Sequence, residues 1–454
     1  MPKRVLVLGL LALALAQSAL GGSFESSEAT LNDAWKASAK TAWLMVSPPV
    51  NLDPRGCAVP GSAPVILDGV VRDRCPYVGD LGVIGKAMLV SGDGDFSALR
   101  RTLAMFADAQ RGDGSIPSSP YVNFSTTLID YPAYWIEASY DYVLHTGDIG
   151  YARRYHQTLI RLLDGWYRSI ARPDGLIVNT HGPMDYGYIR RTGEVVAYYN
   201  GGYARALRLG SELARWVGDV AHAGSWQQRS GTLATTIRRV FWDSSVGAFQ
   251  DSEASTAAHP QDANAFAILA GAATRSEAAS ALGFLDRHNR RDYGNTMVES
   301  EAFDHPIWGT HGRERVYPFI SFFEALARYE AGLGESALEL VRRGWGYMLR
   351  AGPRDTTWEA IGPFGGGFQG TYTSFASGWS AGAAPVLTAF ALGVRPTSPG
   401  YATFTVVPRA PGLEWARGEV WTPHGVITVE WRRGPKGRPL LKITNPPGTA
   451  RVMK

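Results

Sequence analysis

Apolar residues recur with a helical period from about residue 28 to residue 393. Leu159, Leu162, Leu163 and Trp166 fall on one stripe, and Phe319, Phe322, Phe323, Leu326 and Tyr329 on another, the spacing of helices that bury one face. The pattern predicts about a dozen helices, near 29–46, 80–90, 96–110, 132–146, 148–170, 196–217, 220–242, 261–273, 275–288, 316–332, 335–350 and 377–392. Gly147-Asp148, Gly218-Asp219 and Gly334-Glu335 stand between stripes. In each pair the glycine suits a left-handed helix end and the acid suits the next helix start. Twelve antiparallel helices imply six hairpins closed into a ring, a mainly α fold of the (α/α)6 barrel type over residues 21–393. The loops at one end of such a ring form a concave site. Long connections rich in Gly, Pro and aromatic residues do collect, at 47–79, 111–131, 172–195, 289–315 and 351–376.

After Gly393 the period changes from helical to two. Phe404 and Val406, then Ile427, Val429 and Trp431, then Leu441 and Ile443 alternate with polar residues, and Gly434 to Gly437 supplies a hairpin turn. Residues 394–454 are therefore expected to form a small β-sandwich-like domain.

At the other end, Lys3 and Arg4 precede an apolar run from Val5 to Ala16, followed by small residues. This is the pattern of a signal peptide over residues 1–20, and the run is shorter than the roughly 20 residues a membrane span needs. The expected product is secreted or periplasmic, without a membrane span. A net charge of +4 on 454 residues is dispersed along the chain among acids, with no basic run longer than a pair, so a nucleic-acid partner lacks the basic patch it requires. Oligomeric state is not legible. Cys57 and Cys75 are the only cysteines. In an exported chain without CxxC or HExxH they read as a disulfide rather than metal ligands, closing the loop that leads into residues 68–80.

Candidate chemistry concentrates in the long connections. Asp68-Gly-Val-Val-Arg72-Asp73-Arg74-Cys-Pro-Tyr77-Val-Gly79-Asp80 places acids and arginines together. Arginine neighbours lower some carboxylate pKa values and burial raises others, so one site can hold an ionised acid beside a protonated one; a surface salt-bridge loop has the same composition. Thr357-Trp358-Glu359 offers a second acid beside an indole, ahead of the glycine-rich stretch 362–370. Aromatic residues reinforce both groups: Tyr121, Tyr131, Tyr134, Trp135, Tyr186, Tyr188, Trp308, Trp358, Phe368 and Trp379 lie in or beside these loops. Sugar C–H faces pack on such rings, although core packing accounts for about half of such residues in general. Asp185, in the 172–195 connection, adds a polar contact. The GxSxG string at Gly378–Gly382 falls within the predicted helix 377–392 and not after a strand, there is no Walker loop or GxGxxG after a strand, and the nine histidines show no ligand spacing. No metal or cofactor is expected. His181, His305, His311 and His424 stand in loops where a hydrogen-bonded or solvated role suffices. Acid/base chemistry by carboxylates remains.

The string over residues 68–80 resembles the signature of the α-L-rhamnosidases, glycoside hydrolase family 78. The resemblance continues through Ile129-Asp130-Tyr131, Thr146-Gly147-Asp148, Asp355-Thr-Thr-Trp358-Glu359 and Gly378-Trp379-Ser380-Ala381-Gly382. It runs on into Gly393-Val-Arg-Pro-Thr-Ser-Pro-Gly400 and Thr422-Pro423-His424-Gly425, which resemble the family's C-terminal β domain. It implies Asp73 as general acid, Glu359 as general base, and sugar contacts from Asp68, Arg72 and Asp80. Trp135, Asp185, Trp308, Trp358 and Trp379, with Tyr77 where relatives commonly have Trp, complete the expected substrate-binding set. Many relatives carry an additional Glu between the positions of Asp73 and Arg74, so Asp80 is the reserve acid. The resemblance also implies inversion, with the two carboxyls about 6.5–9.5 Å apart. Ser377 stands where relatives often carry His, a polar contact expected to be missing, and the sequence shows no β-sandwich modules ahead of the barrel. Two alternatives stay open. One is another six-hairpin glycosidase acting on glucosides or uronides, with Glu299 and Glu301 beside Trp308 as reserve bases. The other is a carbohydrate-binding homologue without catalysis.

Overall fold

The computed structural model describes residues 20–48, 57–71, 74–121, 128–180, 185–254, 258–299, 315–352 and 355–453. The expected signal peptide lies outside them up to residue 19.

Six hairpins follow the chain as the stripes predict. The helices are α1 (Ala29–Leu44), α2 (Leu81–Ser91), α3 (Ser97–Asp108), α4 (Tyr131–Thr146), α5 (Ile149–Arg154), α6 (His156–Ile160) and α7 (Tyr167–Ser169). They continue as α8 (Ala197–Val217), α9 (Val220–Phe241), α10 (Gln261–Leu269), α11 (Arg275–His288), α12 (Pro318–Glu330), α13 (Gly334–Ala351) and α14 (Ala383–Val386). Helices α2, α4, α8, α10, α12 and α14 pack side by side and close on themselves as an inner ring. Their sequences explain the placement: every residue of α10 is buried, and α4 buries residues on all sides, as a helix enclosed by neighbours must. The outer helices, α9 and α13 among them, keep a polar face. Tyr134 lies at the centre, its ring 5.2 Å from Phe319, 5.6 Å from Phe323 and 6.3 Å from Phe266.

All inner helices start at one end of the ring, so the long connections gather there and the short turns gather at the other. Gly147 (φ 72°) and Gly218 (φ 89°) end α4 and α8 in the left-handed conformation that glycine tolerates. Asp148 and Asp219 then accept N–H bonds from Tyr151 and His222 as N-caps. The third pair differs. Gly332, not Gly334, has the positive φ (82°); Gly334 is the first residue of α13, where a side chain would collide with the Arg409 carbonyl. Two predicted helices are also broken. The segment expected at 148–170 passes through a π-turn at Arg161–Trp166, and the last inner helix runs from a 3-10 turn at Gly378–Ser380 through α14 into a π-turn at Leu387–Leu392.

The C-terminal domain pairs Trp415–Thr422, Gly425–Arg433 and Pro439–Thr444 as an antiparallel sheet, with Ile427, Val429 and Trp431 buried. Its remaining edge comes from the far end of the chain, because Ser23–Ser26 pairs with Trp415–Thr422, Ser23 opposite Glu419. A second sheet orders Ala450–Arg451, Thr403–Val406 and Val394–Pro396. The domain sits on the end with the short turns: Trp431 Nε1 donates to Ala391 O at 2.9 Å and Trp421 packs edge-on to Phe96. No described helix is long and apolar enough to cross a membrane.

Candidate active site

At the end where the inner helices begin, three stretches of irregular backbone lie side by side. Gly69 forms an antiparallel bridge with Ser377, and Gly378 N–H donates to Asp68 O at 2.8 Å. Ser377 N–H in turn donates to Thr357 O at 2.9 Å, and Glu359 N–H to Ser374 O at 2.9 Å. On its far side the Glu359 stretch is fixed by the paired N–H and C=O groups of Ile361 and Val316. Pairing of this kind satisfies backbone groups that burial would otherwise strand, and it brings Asp68 and Glu359 to the same edge.

Ser374 joins the two. Its N–H donates to Glu359 Oε2 at 3.2 Å, and its Oγ accepts Val71 N–H at 3.3 Å. Val71 is the last described residue before Arg72 and Asp73, which lie outside the described residues, as do Glu301, Trp308, His181, His305 and His311. Glu359 is buried, and its carbonyl accepts the Trp379 indole N–H at 2.7 Å. Trp379 stacks on Phe319 with centroids 5.2 Å apart and meets Tyr317 edge-on. Arg315 lies over the ring of Phe368, which faces Tyr317, so the aromatic residues form a continuous wall behind the acid.

Asp68 is buried and accepts Ser377 Oγ–H at 3.2 Å. The serine thus supplies a polar contact at the position where one was expected to be missing. Asp80 is buried at the start of α2. Next to it the Tyr131 ring covers Gly79 so closely that a Cβ there would stand 2.6 Å from Cε1, which explains the glycine. The Tyr131 phenol faces Asp80, Asp130 and Asp68; burial, then these charges, raise its pKa well above the usual phenol value.

Asp130, absent from the expected set, proves chemically distinctive. Tyr198 OH and Tyr186 N–H donate to its Oδ2 at 2.8 and 3.1 Å, whereas Oδ1 is buried without a hydrogen-bond partner among the described residues. Burial, then the nearby Asp185 charge, pushes its carboxyl up to about 8, so it is protonated at neutral pH. The Ile129-Asp130-Tyr131 string carried this signal, but only burial gives it meaning.

Other expected contacts take different positions. Trp135 is enclosed in the core with its indole N–H on Leu103 O at 3.0 Å, so it presents no face to a sugar. Asp185 is wholly buried; it accepts Gly187 and Ile189 N–H, Tyr199 OH and the Arg191 guanidinium. Arg191 also pairs with Asp251 and Asp262, so Asp185 is consumed in holding its own loop. Trp358 is buried against Tyr347 and Phe375. Tyr77 is partly buried and packs on the Cys57–Cys75 disulfide with Val59 and Tyr121. Glu299, the reserve base, accepts His259 N–H at 2.7 Å and faces His259 Nδ1 at 3.2 Å.

Residues 62–362 match the family model of the bacterial α-L-rhamnosidase six-hairpin glycosidase domain, and residues 393–453 that of the bacterial α-L-rhamnosidase C-terminal domain. No curated protein matches. Among solved structures the chain is similar to the family 78 rhamnosidase of Bacillus sp. GL1 (TM-score 0.74, 23% identity, covering 95% of this chain and 43% of that one). It is also similar to the Streptomyces avermitilis α-L-rhamnosidase complexed with L-rhamnose (TM-score 0.72, 16% identity, 95% and 38%) and to the α-L-rhamnosidase from Dictyoglumus thermophilum (0.73, 15%, 95% and 45%). The chain therefore spans less than half the length of each of these relatives. On the match over residues 62–362, the chain belongs to the bacterial α-L-rhamnosidase six-hairpin glycosidase domain family.

Proposed function

We propose that the protein hydrolyses terminal α-L-rhamnosyl or closely related deoxy-sugar linkages by inversion, with Asp73 as general acid and Glu359 as general base. The observation that carries this reading is Ser374, which binds the Glu359 carboxylate through its N–H and the Val71 backbone through its Oγ, two residues ahead of Asp73. The acid protonates the leaving oxygen while the base takes a proton from water on the opposite face. Asp68 and Asp80, with Arg72, bind sugar hydroxyls, and Tyr77 and Trp308 offer ring faces. Trp379 and Trp358 act from behind, by fixing the backbone of Glu359 and the wall beside it. The basic and apolar start of the chain, together with the disulfide, supports export.

The test is turnover of 4-nitrophenyl α-L-rhamnopyranoside with the product anomer followed by NMR. The β-anomer should form first, and Asp73→Asn and Glu359→Gln should each lower kcat by about 10²–10⁴-fold with an unchanged circular dichroism spectrum. Near-normal rates in both variants, or first appearance of the α-anomer, would overturn the assignment.

A further inference from the structure

At the end opposite the sugar site, His156, Asp219 and His222 form the one group of potential metal ligands among the described residues, with donor atoms within 4.8 Å of one another. His156 opens α6, Asp219 caps α9 and His222 lies in its first turn. Helix α8, whose 21 residues separate this turn from the mouth, is about 30 Å long, so the group belongs to no part of the glycosidase site. We propose that these three side chains bind a divalent transition metal, zinc in the first instance, as a staple between neighbouring hairpins.

Asp219 divides its oxygens between two tasks. Oδ1 accepts His222 N–H at 3.1 Å as the helix cap, while Oδ2 receives both imidazoles, His156 Nε2 at 2.8 Å and His222 Nδ1 at 2.6 Å. Two ring nitrogens converging on one carboxylate oxygen form a half-closed coordination shell. Zinc bound at about 2.0–2.1 Å holds tetrahedral neighbours roughly 3.3 Å apart, so the two contacts to Oδ2 would open by about 0.5–0.7 Å to admit it. Two imidazoles and one carboxylate are a donor set that suits zinc and not calcium or magnesium, which take oxygen ligands. The side chains are 18%, 24% and 34% exposed, leaving a fourth position to solvent.

An independent feature supports the assignment. Ligand histidines present their other ring nitrogen to a fixed carboxylate, which orients the ring and strengthens the donor. His222 Nε2 faces Asp164 Oδ2 at 3.7 Å. Asp164 is itself held by the Trp226 indole N–H at 3.0 Å and by Arg229, and the Trp226 ring lies 5.1 Å from that of His222.

Chelator-treated full-length protein titrated calorimetrically with ZnCl2 should take up one zinc per chain, and CaCl2 should not compete. His156→Gln and Asp219→Asn should each weaken uptake by more than about tenfold; asparagine keeps the helix cap, so loss of binding in that variant is not loss of fold. Zinc should raise the thermal midpoint of the wild type and not of His156→Gln, with glycoside turnover unchanged in both. Failure of the wild type to bind zinc stoichiometrically, or undiminished binding in both variants, would overturn the proposal.

Discussion

The identity of a carboxylate says less than its surroundings. Glu359 is held by a backbone N–H on one oxygen, and Asp185, of the same chemistry, is saturated by Arg191, Tyr199 and two backbone N–H groups. Asp130 is the third case, a buried acid whose folded pKa of about 8 lies far above the carboxylate value near 3.8. Between those values the folded chain holds a proton that the unfolded chain has released, so this group's contribution to stability falls as pH rises from about 4 to 8. Asp130→Asn removes the titration while keeping a hydrogen-bonding amide. The difference in thermal midpoint, variant minus wild type, should therefore increase between pH 5 and pH 8. A pH-independent difference would place the proton elsewhere.

At the scale of elements, the connections matter more than the helices. The 68–71 stretch enters the site from a loop closed by Cys57–Cys75, with Cα atoms 5.7 Å apart and a sequence separation of 18. Chain-entropy arguments assign closure of a loop of that length about 3 kcal/mol. Cys57→Ser combined with Cys75→Ser should lower unfolding free energy by roughly that amount, measured from the urea midpoint and slope together because the uncrosslinked unfolded chain exposes more surface. Because Asp68 N–H donates to Cys75 O at 3.1 Å, and Tyr77 packs on the disulfide, the same variant should raise KM more than it lowers kcat. The disulfide and the helical stripes were legible from the sequence because both depend on local spacing and compartment. The π-turns at Arg161–Trp166 and Leu387–Leu392 were not, since a π-turn keeps the apolar stripe while shifting it by one residue.

For the whole molecule, the two chain ends share one sheet. Ser23–Ser26 covers the edge of Trp415–Thr422, and bare edges leave rows of unpaired backbone groups. Deleting residues 20–26 should therefore cost the C-terminal sheet most of its protection, with amide exchange in Trp415–Thr422 accelerating while exchange in α8 and α10 stays slow. Equal acceleration in the barrel would mean that the two parts unfold as one unit. The (α/α)6 ring itself follows from antiparallel succession, because alternate helices must be enclosed and each outer partner keeps a polar face.

Periodicity, turn chemistry and residue type by themselves determined the six hairpins, the change to strands after Gly393, and the loops in which acids and aromatic rings collect. These are properties of neighbours along the chain, set by the geometry of a helix or a strand. Only the tertiary structure decided that Trp135 is core, that Asp185 serves its own loop, that Ser377 answers Asp68 and that burial raises the Asp130 carboxyl pKa. It alone also drew His156 to Asp219 and His222 across 63 and 66 positions, and joined Ser23–Ser26 to the other end of the chain. Burial and convergence depend on residues far apart in sequence, and the desolvation that sets a buried group's charge exists only once the chain has closed around it.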